Sequence, residues 1–286
     1  MNVFFAIWIG RLRGYPLWVM VHEFAIMDSR EISLVRRIQA WITRRIARSV
    51  MKAADRIFYA TPQWKDAIVR AAPSVPSRHL PVPSNVLMEK NTALIERMRT
   101  RLCGERYRHV VGHFGSYRMP ELFEFLRSFT RKIIEKDADC IVLFLGRGSD
   151  EFVADSISLE PSLKDRTFAT GAVDPATLSN YLCSCDVLVQ PYRHGVATNR
   201  SSVMAGLALG IPIVTTKGIN TESIWSGCVS LVPFEIEATV KESIDLLRDE
   251  GRRQMLSTHS LDLYKTNFDV RCSIEIIQNP DEPRSI

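Results

Sequence analysis

The sequence predicts an α/β protein of two Rossmann-like lobes, the first of them incomplete, and three observations carry that expectation. Short β-branched runs alternate with longer amphipathic segments, the pattern of parallel strands covered by helices on both faces. A stretch at 72–84 holding Pro73, Pro76, Pro81 and Pro83 forbids a helix and separates two such series as a linker or a lobe-crossing strand. The third is length. A chain of 286 residues, 46% hydrophobic and 24% charged, buries a real core, but two complete lobes at about 150 residues each need roughly 300. The room before Pro81 suits only the later strands of an amino-terminal lobe. The expected division is a partial lobe with its linker over 1–105, a full lobe over 106–268, and a loosely held polar tail over 269–286 carrying Pro280 and Pro283.

In the first series, strands are expected at 17–21 and 56–60 and helices at 34–53 and 63–71, with Thr61 and Pro62 suited to a helix start. Residues 2–9 are apolar, but Arg11 and Arg13 cut the run short of membrane-spanning length and no basic segment precedes it. Neither a signal peptide nor a transmembrane helix is expected. Between Ser33 and Ala54 the chain carries Arg36, Arg37, Arg44, Arg45, Arg48 and Lys52 and no acid, while Val35, Ile38, Ile42, Ile46 and Val50 recur at helical spacing. The plainest reading is a surface helix packed on its own sheet with a solvated basic face. Docking of residues 33–54 on an anionic membrane surface is the second. A net charge of +5 is mild for this length, so nucleic acid is not an expected partner.

In the second series, strands are expected at 110–114, 141–145, 167–170, 187–190, 211–215 and 229–232. Helices are expected at 93–101, 120–135, 176–183, 201–209 and 237–247. The six cysteines show no C-x-x-C spacing, and several fall in apolar runs such as 140–145. They read as reduced, mostly buried thiols, which argues for the cytoplasm and against a zinc site.

Ligands of open parallel sheets bind outside the carboxyl ends of the strands, so the residues just after each strand are the informative ones. The first strand of the second series is followed by Gly115, Ser116 and Arg118, and the next by Gly146-Arg147-Gly148. Glycine permits close backbone approach there, and each guanidinium suits an anion. Each turn alone is weak. Residues 191–202, between a strand and a helix, form a hydroxyl- and arginine-rich helix entrance with Arg193, Gly195, Thr198, Asn199, Arg200, Ser201 and Ser202. Free backbone N–H groups and the positive dipole end favour a diphosphate, with Thr198, Ser201 and Ser202 placed to cap or donate; an ordinary capped helix with solvent-facing arginines is the bland alternative. After the next strand Glu222 offers a carboxylate to a ribose or sugar hydroxyl, or is simply an exposed helix glutamate.

Several other chemistries are excluded. His22-Glu23 lacks the second histidine of H-E-x-x-H, because position 26 is Ile; no Walker sequence and no G-x-S-x-G elbow is present. His109 and His113 stand at either end of an apolar strand without a third ligand and read as structural.

The ordered series Val21-His22-Glu23, Ala54-Asp55-Arg56 with Thr61, residues 80–85, Gly115-Ser116, residues 145–148, residues 170–173, Leu182 to Asp186 with Pro191, and residues 208–215 resembles the GT-B glycosyltransferases of the family 4 (group 1) type. The resemblance implies transfer of a sugar from a nucleotide-diphosphate sugar, held mainly by the carboxy-terminal lobe, to an acceptor hydroxyl on a polysaccharide or lipid-linked glycan. It implies no metal and no cofactor. Gly115, Ser116 and Arg147 would face phosphates, Gly171 to Val173 the base, and Arg193 to Ser202 the diphosphate and sugar; His22 would lie near the reacting centre. A cytoplasmic enzyme, peripheral on the inner face of the membrane, is the matching location. One departure counts. Counting back from Gly210 without gaps puts the family's two glutamates on Ala197 and Ala205. Thr198, Asn199 or Glu222 would then substitute, or the chain is a non-catalytic relative that binds donor or partner without turnover. A sugar-nucleotide epimerase of similar architecture is a third reading, needing no acceptor.

Overall fold

The computed structural model describes residues 14–22, 34–117 and 120–282. The chain forms two compact units, one of Met1–Val82 with Ser273–Pro283 and the other of Pro83–Cys272 with Arg284–Ile286. The division falls at Val82, inside the proline-rich stretch, rather than near residue 105, and Ser273–Pro283 of the expected tail belongs to the first unit.

Unit one holds β1 (Trp18–Val21), α1 (Leu34–Ala53), β2 (Arg56–Tyr59), a 3-10 turn (Pro62–Trp64), α2 (Lys65–Ala71) and β3 (Ser77–His79). Its sheet is parallel, in the order β1-β2-β3. The expected lobe-crossing strand is β3, and its prolines cost no hydrogen bond. Pro76 precedes it and accepts from Ile57 N–H through its carbonyl (2.9 Å), and Pro81 follows it. Side chains alternate across the sheet: Ile57 and Tyr59 pack with Met51, Ala54, Ile68 and Ala71 on one face, and Phe58 packs with Leu80 and Ile276 on the other.

Ile276 belongs to α10 (Val270–Gln278), a helix where a loose tail is expected from composition. The polar count misled because the helix buries few residues, chiefly Cys272, Ser273 and Ile276. Arg56 fastens the segment by donating to Pro280 O (3.1 Å) and pairing with Asp281 (2.6 Å), and Arg78 donates to Asn279 O.

Unit two is a six-stranded parallel sheet of β4 (His109–Phe114), β5 (Cys140–Leu145), β6 (Thr167–Ala169), β7 (Val187–Gln190), β8 (Ile213–Thr216) and β9 (Ser230–Val232). The order is β6-β5-β4-β7-β8-β9, the doubly wound arrangement whose direction of winding reverses between β4 and β7. Helices α3 (Thr92–Cys103), α4 (Pro120–Lys136), α5 (Ser149–Leu159), α6 (Pro175–Cys183), α7 (Ser201–Leu209), α8 (Ile236–Arg248) and α9 (Glu250–Leu263) complete it. Because strands are covered on both faces, neighbouring residues enter different cores. Val110, Ile141 and Leu188 join Leu182, Met204 and Leu207 on one side; Val111, Val142 and Val189 join Leu126, Phe129, Val240 and Ile244 on the other.

Asp186, just before β7, locks α3 to this sheet. It takes Arg99 in a two-pronged pair (3.1 and 3.2 Å) and accepts from Val110 N–H (2.8 Å). Helices α5 and α9 lie outside the elements legible in the sequence. The buried stripe of α9 is only Leu256, Ser260 and Leu263, too thin a contrast to read as periodic.

Candidate functional site

The reversal between β4 and β7 marks the carboxyl ends of the strands as the place where doubly wound sheets take ligands, and the loops there fall into two connected groups. On the β4 side, Gly115 N–H donates to Leu145 O (3.2 Å), Gly146 N–H to Thr170 Oγ1 (3.2 Å) and Gly171 N–H to Ser149 Oγ (2.9 Å). The loops after β4, β5 and β6 are thus one hydrogen-bonded layer. Gly146 has φ +108°, and a Cβ there would strike Gly115 O, so only glycine lets these loops touch. Ser116 and Arg147 stand exposed on this layer, Gly171 is buried against Asp150, and Val173 is half-buried. Arg118 lies outside the described residues.

Beneath the layer sits a buried polar pair. Tyr117 Oη donates to His113 O (2.9 Å), with Leu145 O at 3.3 Å, and His113 Nδ1 is 3.0 Å from the same oxygen. Complete burial drives the His113 pKa down to about 3 and raises that of Tyr117 well above the ordinary phenol value. A neutral imidazole carrying its proton on Nδ1 satisfies this geometry. The pair ties the ends of β4 and β5 together under Gly115 and Ser116.

On the β7 side, the loop to α7 is joined to the end of β8 and the loop after it, chiefly through backbone groups. Tyr192 N–H donates to Thr216 Oγ1 (2.7 Å), Val196 N–H to Thr216 O (2.9 Å) and Asn220 N–H to His194 O (2.9 Å). Gly195, at φ +85°, lies against Gly218, and a side chain on either would overlap the other loop. Gly195 therefore sets the path of the loop.

At the start of α7 no side chain caps the helix; Arg200 is the N-cap residue. The hydroxyls expected to cap are used elsewhere. Ser202 Oγ is 2.8 Å from Tyr192 Oη, and Thr198 Oγ1 donates to Glu222 Oε1 (3.2 Å). Arg200 stacks over the Tyr192 ring at 5.1 Å. Arg193 and Ser201 are exposed. Glu222 is no exposed helix residue: Trp225 Nε1 donates to its other oxygen (2.7 Å), and it precedes the 3-10 turn Ser223–Trp225. Three buried atoms here lack hydrogen-bond partners: Gln190 Nε2, Asn199 Oδ1 and Arg200 Nε. Buried polar atoms without partners are uncommon in proteins, and these three gather at one strand end and one helix start.

Sequence reasoning assigned no role to Tyr192, Thr216 or Trp225, and it read His113 as structural without its contact to Tyr117. The signals for Trp225 and Tyr117 were their places three residues after Glu222 and four after His113; for Tyr192 and Thr216 the partners lie ten or more residues away. Ala197 and Ala205 are 1% and 0% exposed, so the two positions of the missing glutamates are sealed in the core. His22 is exposed immediately after β1 in unit one. Among the described residues no group of three His, Cys, Asp or Glu side chains is arranged to hold a metal ion. Open hollows of about 450 Å³ between α4 and α8 and about 550 Å³ along α3 lie on helix surfaces lined by Lys, Arg and Glu, away from the strand ends.

Residues 108–249 match the family model of glycosyl transferases group 1. Sucrose-phosphate synthase from Thermosynechococcus elongatus is similar in structure, with TM-score 0.71 and 16% identity over 96% of this chain and 70% of that one. Anabaena HepE, solved in complex with UDP, gives TM-score 0.71 and 16% identity over 96% of this chain and 74% of that one. WaaG, a glycosyltransferase involved in lipopolysaccharide biosynthesis, gives TM-score 0.65 and 13% identity, covering 92% and 74%. No curated protein matches the chain by sequence.

Proposed function

Because residues 108–249 are a group 1 glycosyltransferase domain carried on a GT-B fold, we propose that the chain transfers a sugar from a nucleoside-diphosphate sugar to an acceptor hydroxyl on a glycan or lipid-linked glycan. The observation that carries the reading is the start of α7, where Arg200 Nε and Asn199 Oδ1 are buried without partners beside an uncapped helix N-terminus at the sheet's switch point.

The chemistry follows from charge. As the sugar–oxygen bond breaks, the departing nucleoside diphosphate gains a further negative charge on its terminal phosphate while the sugar becomes oxocarbenium-like, so the leaving group needs fixed positive charge and aligned N–H donors. Arg200 with the N–H groups of Ser201 and Ser202 would hold the diphosphate, Arg193, Gly195, Thr198 and Asn199 shaping that loop. Gly115, Ser116 and Arg147, with Arg118, would take the remaining phosphate charge, and Gly171 to Val173 the base. Glu222, oriented by Thr198 and Trp225, would accept a ribose or sugar hydroxyl in place of the absent glutamate pair. These groups supply the charge without a metal or cofactor. His22 is proposed on the acceptor side. The free thiols of all six cysteines fit the cytoplasm, and a lipid-linked acceptor would bring the enzyme to the membrane's inner face, with residues 33–54 as the contact.

Calorimetric titration of the chain with UDP, GDP and ADP tests the donor site. Saturable binding of one of them is expected, UDP first because HepE is solved with it; no binding of any would sink the reading. The sealed alanines at 197 and 205 favour a second reading, a lobe that binds donor without turnover. Release of nucleoside diphosphate from the matching sugar nucleotide on adding acceptor separates the two, and His22→Ala should abolish that release while leaving nucleotide affinity unchanged.

A further inference from the structure

The exposed face of α1 is built from two adjacent lines of residues. Val35, Ile38, Ile42 and Ile46 recur at three- and four-residue steps, with 64%, 51%, 44% and 44% of their surfaces open. Trp41, Arg45, Arg48 and Lys52 run beside them with the same steps, all exposed. The helix is anchored in unit one from its opposite side, through Ala47 and Met51. An aliphatic line this open is out of place on an ordinary surface helix, whose apolar side faces its own core.

The charge along the segment has one sign. No acid occurs from residue 33 to 54, whereas Arg36, Arg37, Arg44, Arg45, Arg48 and Lys52 do. Arg45 lies over the Trp41 ring at 5.0 Å, which joins the cationic line to an aromatic side chain of the kind that settles between acyl chains and headgroups. Among the described residues no helix is long and apolar enough to cross a membrane. From the joint exposure of an aliphatic line and an acid-free basic line on one helix face, we infer that α1 lies flat in the surface of an anionic lipid bilayer. The aliphatic line enters the acyl boundary, and Arg45, Arg48 and Lys52 meet lipid phosphates.

This deepens the proposal that the chain works at a membrane, yet its test does not depend on glycosyl transfer. The purified full chain is sedimented with phosphatidylcholine vesicles with and without phosphatidylglycerol, at rising salt. Binding only to the anionic vesicles, weakened by salt, is the expected result; equal binding to both, or to neither, overturns the inference. Arg45→Glu with Arg48→Glu should weaken anionic-vesicle binding at least about tenfold, and Ile38→Ser with Ile42→Ser should remove the quenching of Trp41 by brominated acyl chains. Retained binding in the charge-reversed chain overturns it, as does a concentration-dependent dimer that the aliphatic substitutions dissolve in place of vesicle binding. Nucleotide titration of the same variants reports on unit two separately. Vesicle binding without nucleotide binding leaves the surface standing and removes the catalytic reading, and the converse removes the surface alone.

Discussion

Arg200 shows how much one residue of the site reveals in the sequence. Its position before an apolar helix was enough to suggest an anion contact, because helix starts leave N–H groups free wherever they occur. Its stacking on Tyr192 was not legible, since that contact depends on how the loop between β7 and α7 doubles back. Arg200→Ala should weaken nucleoside diphosphate binding by about 1–3 kcal/mol, read by calorimetry. Unchanged affinity would remove Arg200 from the site. His113 was read only as structural, and its burial gives it a measurable role. A folded pKa of about 3 against an unfolded value near 6.5 means the unfolded chain binds the extra proton below pH 6.5. Stability is then full above pH 6.5 and falls toward pH 3, by about 2 kcal/mol at pH 5. Urea denaturation between pH 7 and 5 should show this slope, and His113→Phe should flatten it.

Among the elements, parallel strands were the most legible, because burial on both faces makes them continuous apolar runs between turns. Val187–Gln190 is the plain case, expected and found with the same limits. Helices α5 and α9 were missed for the opposite reason: their buried residues include serines, Ser149 and Ser156 in one and Ser260 in the other, which carry no hydrophobic signal. The loop pairing at Gly195 and Gly218 was not legible either, since neither glycine signals which backbone it will meet. Gly218→Ala would push a methyl group into His194 and should cost about 1–3 kcal/mol. Nucleotide affinity should fall with it, because the loop it displaces leads into α7. A chain equally stable and equally tight in binding would show that the two loops are free to part.

For the molecule as a whole, the alternation of strands and helices was sufficient to name the fold class, and the shortness of the first series to expect an incomplete lobe. The ownership of the final segment was not readable. Val270, Ile274 and Ile277 stay open on α10 while Ile276 carries the contact with Phe58 and Leu80, so the periodicity points away from the buried side. Removing residues 273–286 should therefore damage the far end of the sequence. Loss of Ile276 from its cluster and of the Arg56–Asp281 pair should destabilise unit one by about 2–5 kcal/mol, while unit two keeps its nucleotide affinity. Limited proteolysis with nucleotide titration would show it, and an intact amino-terminal fragment would refute the dependence.

That split ownership also imposes an order on synthesis. A ribosome delivers the strands of unit one before the helix that covers Phe58 and Leu80, with the whole of Pro83–Cys272 in between. At about 5–20 residues per second the earlier strands wait roughly 10–40 s for their cover. During that interval unit two, contiguous in the chain, is free to fold. The amino-terminal sheet meanwhile leaves Phe58 and Leu80 uncovered, the kind of apolar surface that chaperones hold, until α10 has been made.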